Sequence, residues 1–280
     1  MTRIQSLSML NSEDARNYLA EQYGKVLDFI AKNTISGQLK NTDLSGDPST
    51  GTVEASRFAN TESKAYGTAR TGNAGQKLVD DKVTVPVDVD RELINEVEEK
   101  DTLLYGVDGL ITRKSTMNQG SMQRELERAF FTCAATYGTH HTPTATTVNE
   151  KVEELIQTIE NTKNAWVDGV DRTMIRLVAN TTFYGQIRTY LDTTQNSNVN
   201  TDAEDFVTFH GVRIYSSVYL PAYVDIVGMV VGSVAQPIMT TMDAADKFPA
   251  SNAYHFGMFY SYGTKAVMPD LIQWMGTVQS

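Results

Sequence analysis

Val83-Thr-Val85-Pro-Val87-Asp-Val89 is apolar at every second position, the period of a β-strand with one buried face. Upstream, Gly51-Thr-Val53-Glu-Ala55-Ser-Arg57-Phe58-Ala59 is a weaker extended run. A long polar connection lies between them, with Gly67, Gly72 and Gly75 beside Lys64, Arg70 and Lys77. A connection of that length cannot close a tight hairpin, and such loops are uncommon inside compact domains unless they are functional. Pro86 removes a ladder donor and points to an edge strand. Residues 51–90 therefore read as a projecting β-arm suited to lying on a neighbouring molecule. That suggests a building block rather than an enzyme.

Outside the arm, the chain reads as an ordinary folded protein. Its 280 residues, 41% hydrophobic and 21% charged, can bury a sizeable core in one large or two smaller domains. The formal charge of −10 argues against condensing nucleic acid through a basic arm, which needs clustered Lys and Arg. It leaves open enclosing nucleic acid that another machine drives inside. Cys133 is the only cysteine, so no intrachain disulfide forms, which fits a reducing cytoplasm. The first residues lack the apolar core of a signal peptide, and the longest apolar stretch, Tyr223 to Ala235, is too short to span a bilayer. A soluble protein is expected.

Residues 12–33 predict a helix, with Glu13 and Asp14 at its positive end and Ala15, Leu19, Tyr23, Val26, Leu27 and Ile30 in one apolar stripe. Ser36 to Thr50 reads as a polar linker. Asp90 to Val97 is expected to be a short helix behind an acidic cap. A longer helix lies within 110–137, best defined by Met122, Leu126, Ala129, Phe130 and Cys133, with Arg124, Glu125, Glu127 and Arg128 outside and Gly120 weakening its first half. Thr147-Val-Asn-Glu150 is a capping box, after which Val148, Val152, Leu155, Ile156 and Ile159 share one face. Met174 to Ala179 reads as a buried strand, Tyr184 to Leu191 as a short helix, and Thr193 to Asp205 as an exposed loop. The final third is mostly strand. Val212 to Ser217 and Asp225 to Gly232 flank a Leu220-Pro221 turn, and Tyr254, Phe256, Met258, Tyr260 and Tyr262 alternate as one face of another strand.

The run Gly211-Val-Arg-Ile-Tyr-Ser-Ser-Val-Tyr-Leu-Pro221, the strand Ile226-Val-Gly-Met-Val-Val and the closing Tyr262-Gly-Thr-Lys-Ala-Val-Met-Pro269 follow the arm and the long helix. In this order of parts the chain resembles the major capsid proteins of tailed bacteriophages, of the Hong Kong ninety-seven type. The likeness is a pattern of elements over the whole chain rather than a single diagnostic motif. It implies an α+β fold with an N-terminal arm (1–50) and an extended β-hairpin loop (51–90). A peripheral domain (91–145) would contain a long spine helix near 112–137 and be completed by about 246–265. An axial domain (146–245, with 266–280) would hold a central mixed sheet. On the extended loop, Arg57, Lys64, Arg70, Lys77 and Lys82 would meet an adjacent subunit. On the axial loop, Asn196, Asn198, Asp202 and Asp205 would approach the local five-fold or quasi-six-fold axis.

The implied function is that of a structural virion protein. It would assemble into hexamers and pentamers of an icosahedral or prolate shell around packaged double-stranded DNA. The implied partners are other copies of the chain, a scaffolding protein, a portal and decoration proteins. DNA would be enclosed without sequence-specific binding, with no cofactor and no membrane. Assembly would take place in the host bacterial cytoplasm. The absence of a long coiled-coil preface favours a separate scaffolding protein over a fused one. Lys64, Lys77 and Lys82 are available on the arm, but nothing marks a partner asparagine for a covalent cross-link. The same resemblance covers an encapsulin, a bacterial shell that holds enzymes; a soluble enzyme is the remaining alternative.

Tests for catalytic chemistry come out bland. His140 and His141 are adjacent, so they diverge on any regular element and read as a solvated loop; His210 and His255 are isolated. Cys133 sits on an apolar helical stripe and reads as a packed thiol. Glu96, Glu98 and Glu99, and Glu150, Glu153 and Glu154, read as solvated helix faces. Asp202, Glu204 and Asp205 lack the spacing and central glycine of a calcium loop. No glycine turn is followed by the Lys-Ser/Thr of a phosphate loop.

Overall fold

A computed structural model describes residues 13–60, 63, 65–66, 80–193, 206–242, 246–247 and 253–277. In chain order, α1 (Glu13–Asn33) and α2 (Ile35–Leu39) precede β1 (Leu44–Ser45), β2 (Thr52–Phe58), β3 (Asp80–Pro86) and β4 (Val89–Val97). The long α3 (Glu99–Tyr137) leads to β5 (Thr139–His140), α4 (Val148–Glu160), β6 (Ile175–Ala179) and α5 (Thr181–Thr193). Then follow β7 (Thr208–Phe209), β8 (Val212–Ser216), β9 (Val224–Val230) and β10 (Val234–Ala235). The last strands are β11 (Ile238–Met242), β12 (Asp246–Lys247), β13 (Tyr254–Tyr262), β14 (Lys265–Ala266) and β15 (Ile272–Gly276).

The largest sheet is mixed and six-stranded, in the order β5-β15-β9-β6-β8-β7. β6 pairs with β8 and β15 with β5 in parallel; the other pairs are antiparallel. Alternation along β6 explains why both faces are covered. Ile175, Leu177 and Ala179 face α4 and α5, where they meet Leu155, Ile156, Ile159 and Ile187. Val178 faces the other way, toward Phe130, Phe131 and Ala134 of α3. Half of the capping box is present: Thr147 Oγ1 accepts from Glu150 N–H, while the Glu150 carboxylate takes the Thr147 hydroxyl at 2.7 Å instead of a backbone amide.

A second core lies under β13. Its aromatic alternation places Phe256, Met258, Tyr260 and Tyr262 on one face, packed with Leu19, Tyr23, Val26 and Ile30 of α1 and with Val107, Ile111, Met122 and Leu126 of α3. β4 pairs with β13 along all nine of its residues, from Val89 opposite Tyr262 to Val97 opposite Tyr254. This corrects the short helix expected at Asp90 to Val97. The buried positions of that segment fall at Asn95 and Val97, with Leu93 half-buried, a period of two that its run of charges conceals.

Three other expectations change. The 83–89 run is not one strand: β3 ends at Pro86, β4 starts at Val89, and the two belong to different sheets. Residues 36–50 are not a plain linker. Thr34 caps α2 by accepting from Gly37 N–H, Leu39 is buried, and β1 pairs with β2. α3 is two helical pieces: a short one from Glu99 is broken off at Gly106, whose φ of 67 and ψ of 164 are not helical and suit glycine, and the long helix runs from Val107, slightly before residue 110, to Tyr137.

The arm strands β2 and β3 pair antiparallel from Thr52 opposite Pro86 to Phe58 opposite Asp80, with β3 at the sheet edge. At its root the arm meets the body so closely that a Cβ on Gly263 would lie 1.6 Å from the Pro86 carbonyl oxygen. Gly263→Ala is therefore expected to destabilise the protein by about 1–3 kcal/mol or more, since the obstacle is backbone. Gly24→Ala, where a Cβ on α1 meets nothing within 4 Å, should be neutral or stabilising by up to ~1 kcal/mol. Urea unfolding midpoints of the two variants check the contrast.

Candidate functional site

The arm is rooted through a small apolar patch and then a polar tie. Ala55 and Val85 are fully buried against Ala235 and Val267, with Leu44, Val83 and Met268 around them. Lys265 Nζ donates to the Thr84 carbonyl at 2.9 Å, and Val87 N–H donates to Gly51 O at 2.9 Å. Further out, Arg57 Nη2 donates to Asp270 Oδ2 at 2.6 Å, and its guanidinium lies 5.2 Å from the centre of the Trp166 ring. Asn164 Nδ2 donates to the same Asp270 oxygen, and Asn60 N–H donates to Ala165 O at 3.0 Å. Three distant parts of the chain thus converge on one end of the arm.

The N-terminal segment is fastened separately. Glu127, only 1% exposed on α3, accepts from Ile35 N–H at 2.7 Å and so holds the start of α2. Burial pushes this carboxyl above its ordinary value, against the pull of the backbone donors at Ile35 and Ser36. Beside it, the buried Gln236 donates from Nε2 to the Leu126 carbonyl at 2.9 Å and to Thr264 Oγ1 at 3.1 Å.

Along the outer face of α3 runs a groove of about 730 Å³, bordered by Ser121, Arg124, Arg128, Thr132, Tyr137 and Tyr262. At its wall Glu125 accepts from Arg91 Nε at 2.8 Å and from Tyr262 Oη at 2.9 Å, joining β4, α3 and β13. Burial raises the Glu125 carboxyl, but those two donors outweigh it and hold it below the ordinary value. Cys133 also borders the groove, yet its thiol is buried and pushed up to about 11, the opposite of an activated nucleophile.

The acidic face of α4 is not simply solvated. Arg172 donates to Glu160 from Nε at 2.7 Å and from Nη2 at 2.9 Å, to Glu153 from Nη2 at 2.7 Å, and to the His210 carbonyl at 3.1 Å. His210 Nδ1 lies 3.0 Å from Glu153 Oε2, and its other nitrogen meets Asn149 Oδ1. The cluster pins the turn between β7 and β8 onto α4. Nor do His140 and His141 form a solvated loop: the His140 ring lies 4.5 Å from that of Trp274, and His141 Nε2 is 3.7 Å from Glu154. Among the described residues, no group of three His, Cys, Asp or Glu is placed to hold a metal ion, and no helix is long and apolar enough to cross a membrane.

Of the arm residues named from sequence, Arg57 and Lys82 are described. Arg57 turns onto the body, and Lys82 Nζ reaches Glu54 across the hairpin at 3.0 Å. Lys64, Arg70 and Lys77, and the axial-loop set Asn196, Asn198, Asp202 and Asp205, lie outside the described residues. Glu127, expected on the outside of the long helix with Arg124, Glu125 and Arg128, is instead buried against the start of α2; Asp270, Trp166 and Arg172 stand in no motif. Nothing local marks them, because each acts on a residue distant along the chain or on the backbone.

No family model and no curated protein matches the chain. Solved structures do. The capsid of the cyanophage P-SCSP1u matches with a TM-score of 0.64 at 13% identity, over 89% of each chain. The capsid of the native GTA particle matches with a TM-score of 0.63 at 12% identity, over 89% of this chain and 91% of that one. A virus-like particle from Pyrococcus furiosus matches with a TM-score of 0.56 at 12% identity, over 92% and 98%. At such identities the likeness is one of fold: the chain has the mixed α+β fold of phage capsid proteins.

Glu127 generates a prediction with a definite sign. Its carboxyl is raised in the folded state, so the folded chain holds its proton over a pH window in which the unfolded chain has lost it. Stability from this group is therefore full below the ordinary carboxylate value and falls as pH rises through the folded value. Glu127→Gln keeps an acceptor for Ile35 N–H and removes the ionisation. Relative to the wild type, this variant should gain stability as pH rises from 4 toward neutrality, read from urea unfolding across that range. An equal pH slope for both proteins would exclude the assignment.

Proposed function

We propose that this chain, folded as phage capsid subunits are, is the repeating subunit of a closed protein shell that encloses double-stranded DNA. The observation that carries the reading is the two-stranded arm, which leaves a two-core body whose fold recurs in capsids across nearly the whole chain. In this reading residues 1–50 are an N-terminal arm and 51–90 an extended loop. Residues 91–145 with about 246–265 form a peripheral domain, and 146–245 with 266–280 form an axial domain.

Function is then repeated association. Head-to-tail contacts that close by rotation make rings, here pentamers and hexamers. Each contact can be modest, because a subunit that touches several neighbours escapes only by breaking all of them. Lys64, Arg70, Lys77 and Lys82, with Glu54, Glu62, Asp80 and Asp81 among them, make the arm polar and charged with both signs mixed, and electrostatic contacts of that kind let misplaced subunits leave again. The net charge of −10 suits a wall that does not adhere to DNA, as filling by a motor requires. A scaffolding protein, a portal and decoration proteins are the partners this role calls for, and the assembled virion is the location. The likeness to a virus-like particle from Pyrococcus furiosus favours one second reading, an encapsulin-type shell holding protein cargo.

Negative-stain electron microscopy of the chain, expressed alone and with its neighbouring genes, tests the proposal. Closed shells, tubes, or five- and six-membered rings are expected, and their contents separate genome from enzyme cargo. A monomer that persists with a scaffold supplied would overturn it. Deleting residues 60–80 should leave urea unfolding of the body nearly unchanged and abolish closed shells; normal particles from that deletion would remove the arm from the mechanism.

A further inference from the structure

The body-facing row of the arm reads Val53, Ala55 and Arg57 on β2 against Val85, Val83 and Asp81 on β3. Val53, Ala55 and Val85 are buried, so the row is apolar at the root and ends in an opposed cation and anion. Residues directly opposite on one face of an antiparallel pair have Cβ atoms about 4.5–5.5 Å apart, within reach of an ion pair. Arg57 nevertheless spends its guanidinium on Asp270 and Trp166, in another part of the chain.

That tie is only half made. Arg57 Nε and Asp270 Oδ1 are buried with no hydrogen-bond partner among the described residues, while Asp270 Oδ2 takes both Arg57 and Asn164. The strong form of an arginine–carboxylate pair is a fork of two parallel bonds, and a buried donor or acceptor left unpaired is costly. A permanent anchor would be expected to close the fork. This one leaves a donor and an acceptor idle, with a second carboxylate opposite the same arginine.

We propose that Arg57 is the moving part of a two-position latch just beyond the apolar root of the arm. In the position seen here it holds Asp270 and lies over Trp166, and the arm rests on the 164–166 turn through the Asn60–Ala165 hydrogen bond. In the other position the guanidinium swings to Asp81. The arm carries its own counter-charge, and the Asn60 contact opens. Asp270 keeps Asn164 as a donor, so neither carboxylate is stranded. The lever is intrinsic to the chain and does not depend on the shell reading.

Amide hydrogen exchange at Asn60, on the full-length protein in one common assembly state, tests the latch. Asp81→Asn removes the second position and should slow exchange at Asn60 several-fold. Asp270→Asn removes the first and should speed it several-fold. Opposite signs from the two substitutions are what a single fixed tie cannot produce. If Asp81→Asn leaves Asn60 exchange at the wild-type rate, the second position does not exist and the proposal falls. Should Asp270→Asn fail to fold, judged by loss of its near-ultraviolet circular dichroism, the exposed Asp81→Asn variant decides alone.

Discussion

One helix has to satisfy two hydrophobic cores at once, and the rest of the molecule is arranged around that constraint. From Val107 to Leu126, α3 buries one face against α1 and the β4–β13 pair; from Phe130 to Ala135 it buries another against the six-stranded sheet. At about 1.5 Å per residue, the stretch from Val107 to Tyr137 runs some 45 Å. Neither core is complete without it. Glu127 and Gln236 mark where the two cores meet. There α3 stops packing on one core and starts on the other, so a polar residue can be buried only if it is fully used. Glu127 takes the amide that begins α2, and Gln236 takes a helical carbonyl and a threonine hydroxyl.

With the body fixed along that helix, the arm is the part whose attitude remains to be set. Its root is clamped by backbone proximity at Gly263 and by an apolar patch around Ala55 and Val85. Beyond that patch apolar burial gives out, and charge takes over at Arg57. An apolar anchor fixes an orientation but resists change, whereas an ion pair over an aromatic ring is directional and exchangeable for another carboxylate. The order in which these occur along the arm, apolar first and ionic last, suits a lever that is rigid at its base and adjustable toward its end.

How much of this was legible follows from the range of each interaction. The cap at Thr147, the stripe on α4 and the alternation of β13 are local patterns, and each was read correctly with its buried face. The strands around Leu220-Pro221 and the buried run ending at Ala179 were legible singly, whereas their joining into one mixed sheet was implied only by the resemblance to capsid proteins. β4 was misread because its pairing partner, β13, lies more than 150 positions downstream. Without that partner, a run of charges behind Asp90 carries helical signals of equal strength. The ionic tie of the arm was out of reach for the same reason: Arg57 and Asp270 are 213 positions apart, and neither sits in a motif. Arg57 could be assigned to the arm, but which way it turns is decided by a distant carboxylate and a tryptophan.

That split in legibility also bears on how the fold tolerates change. The solved structures that share it are only 12–13% identical to this chain in the examples given, yet they cover about nine-tenths of it. Apolar faces of the right period and volume are interchangeable, so cores can diverge while the backbone persists. Ties such as Arg172 to Glu153 and Glu160 are not interchangeable piecemeal, because losing one partner strands the other. They have to change together or be replaced by apolar contacts. The polar ties are therefore where one chain with this fold can differ most sharply from another. In this chain they sit on the arm at Arg57, at the start of α2 and at the β7–β8 turn.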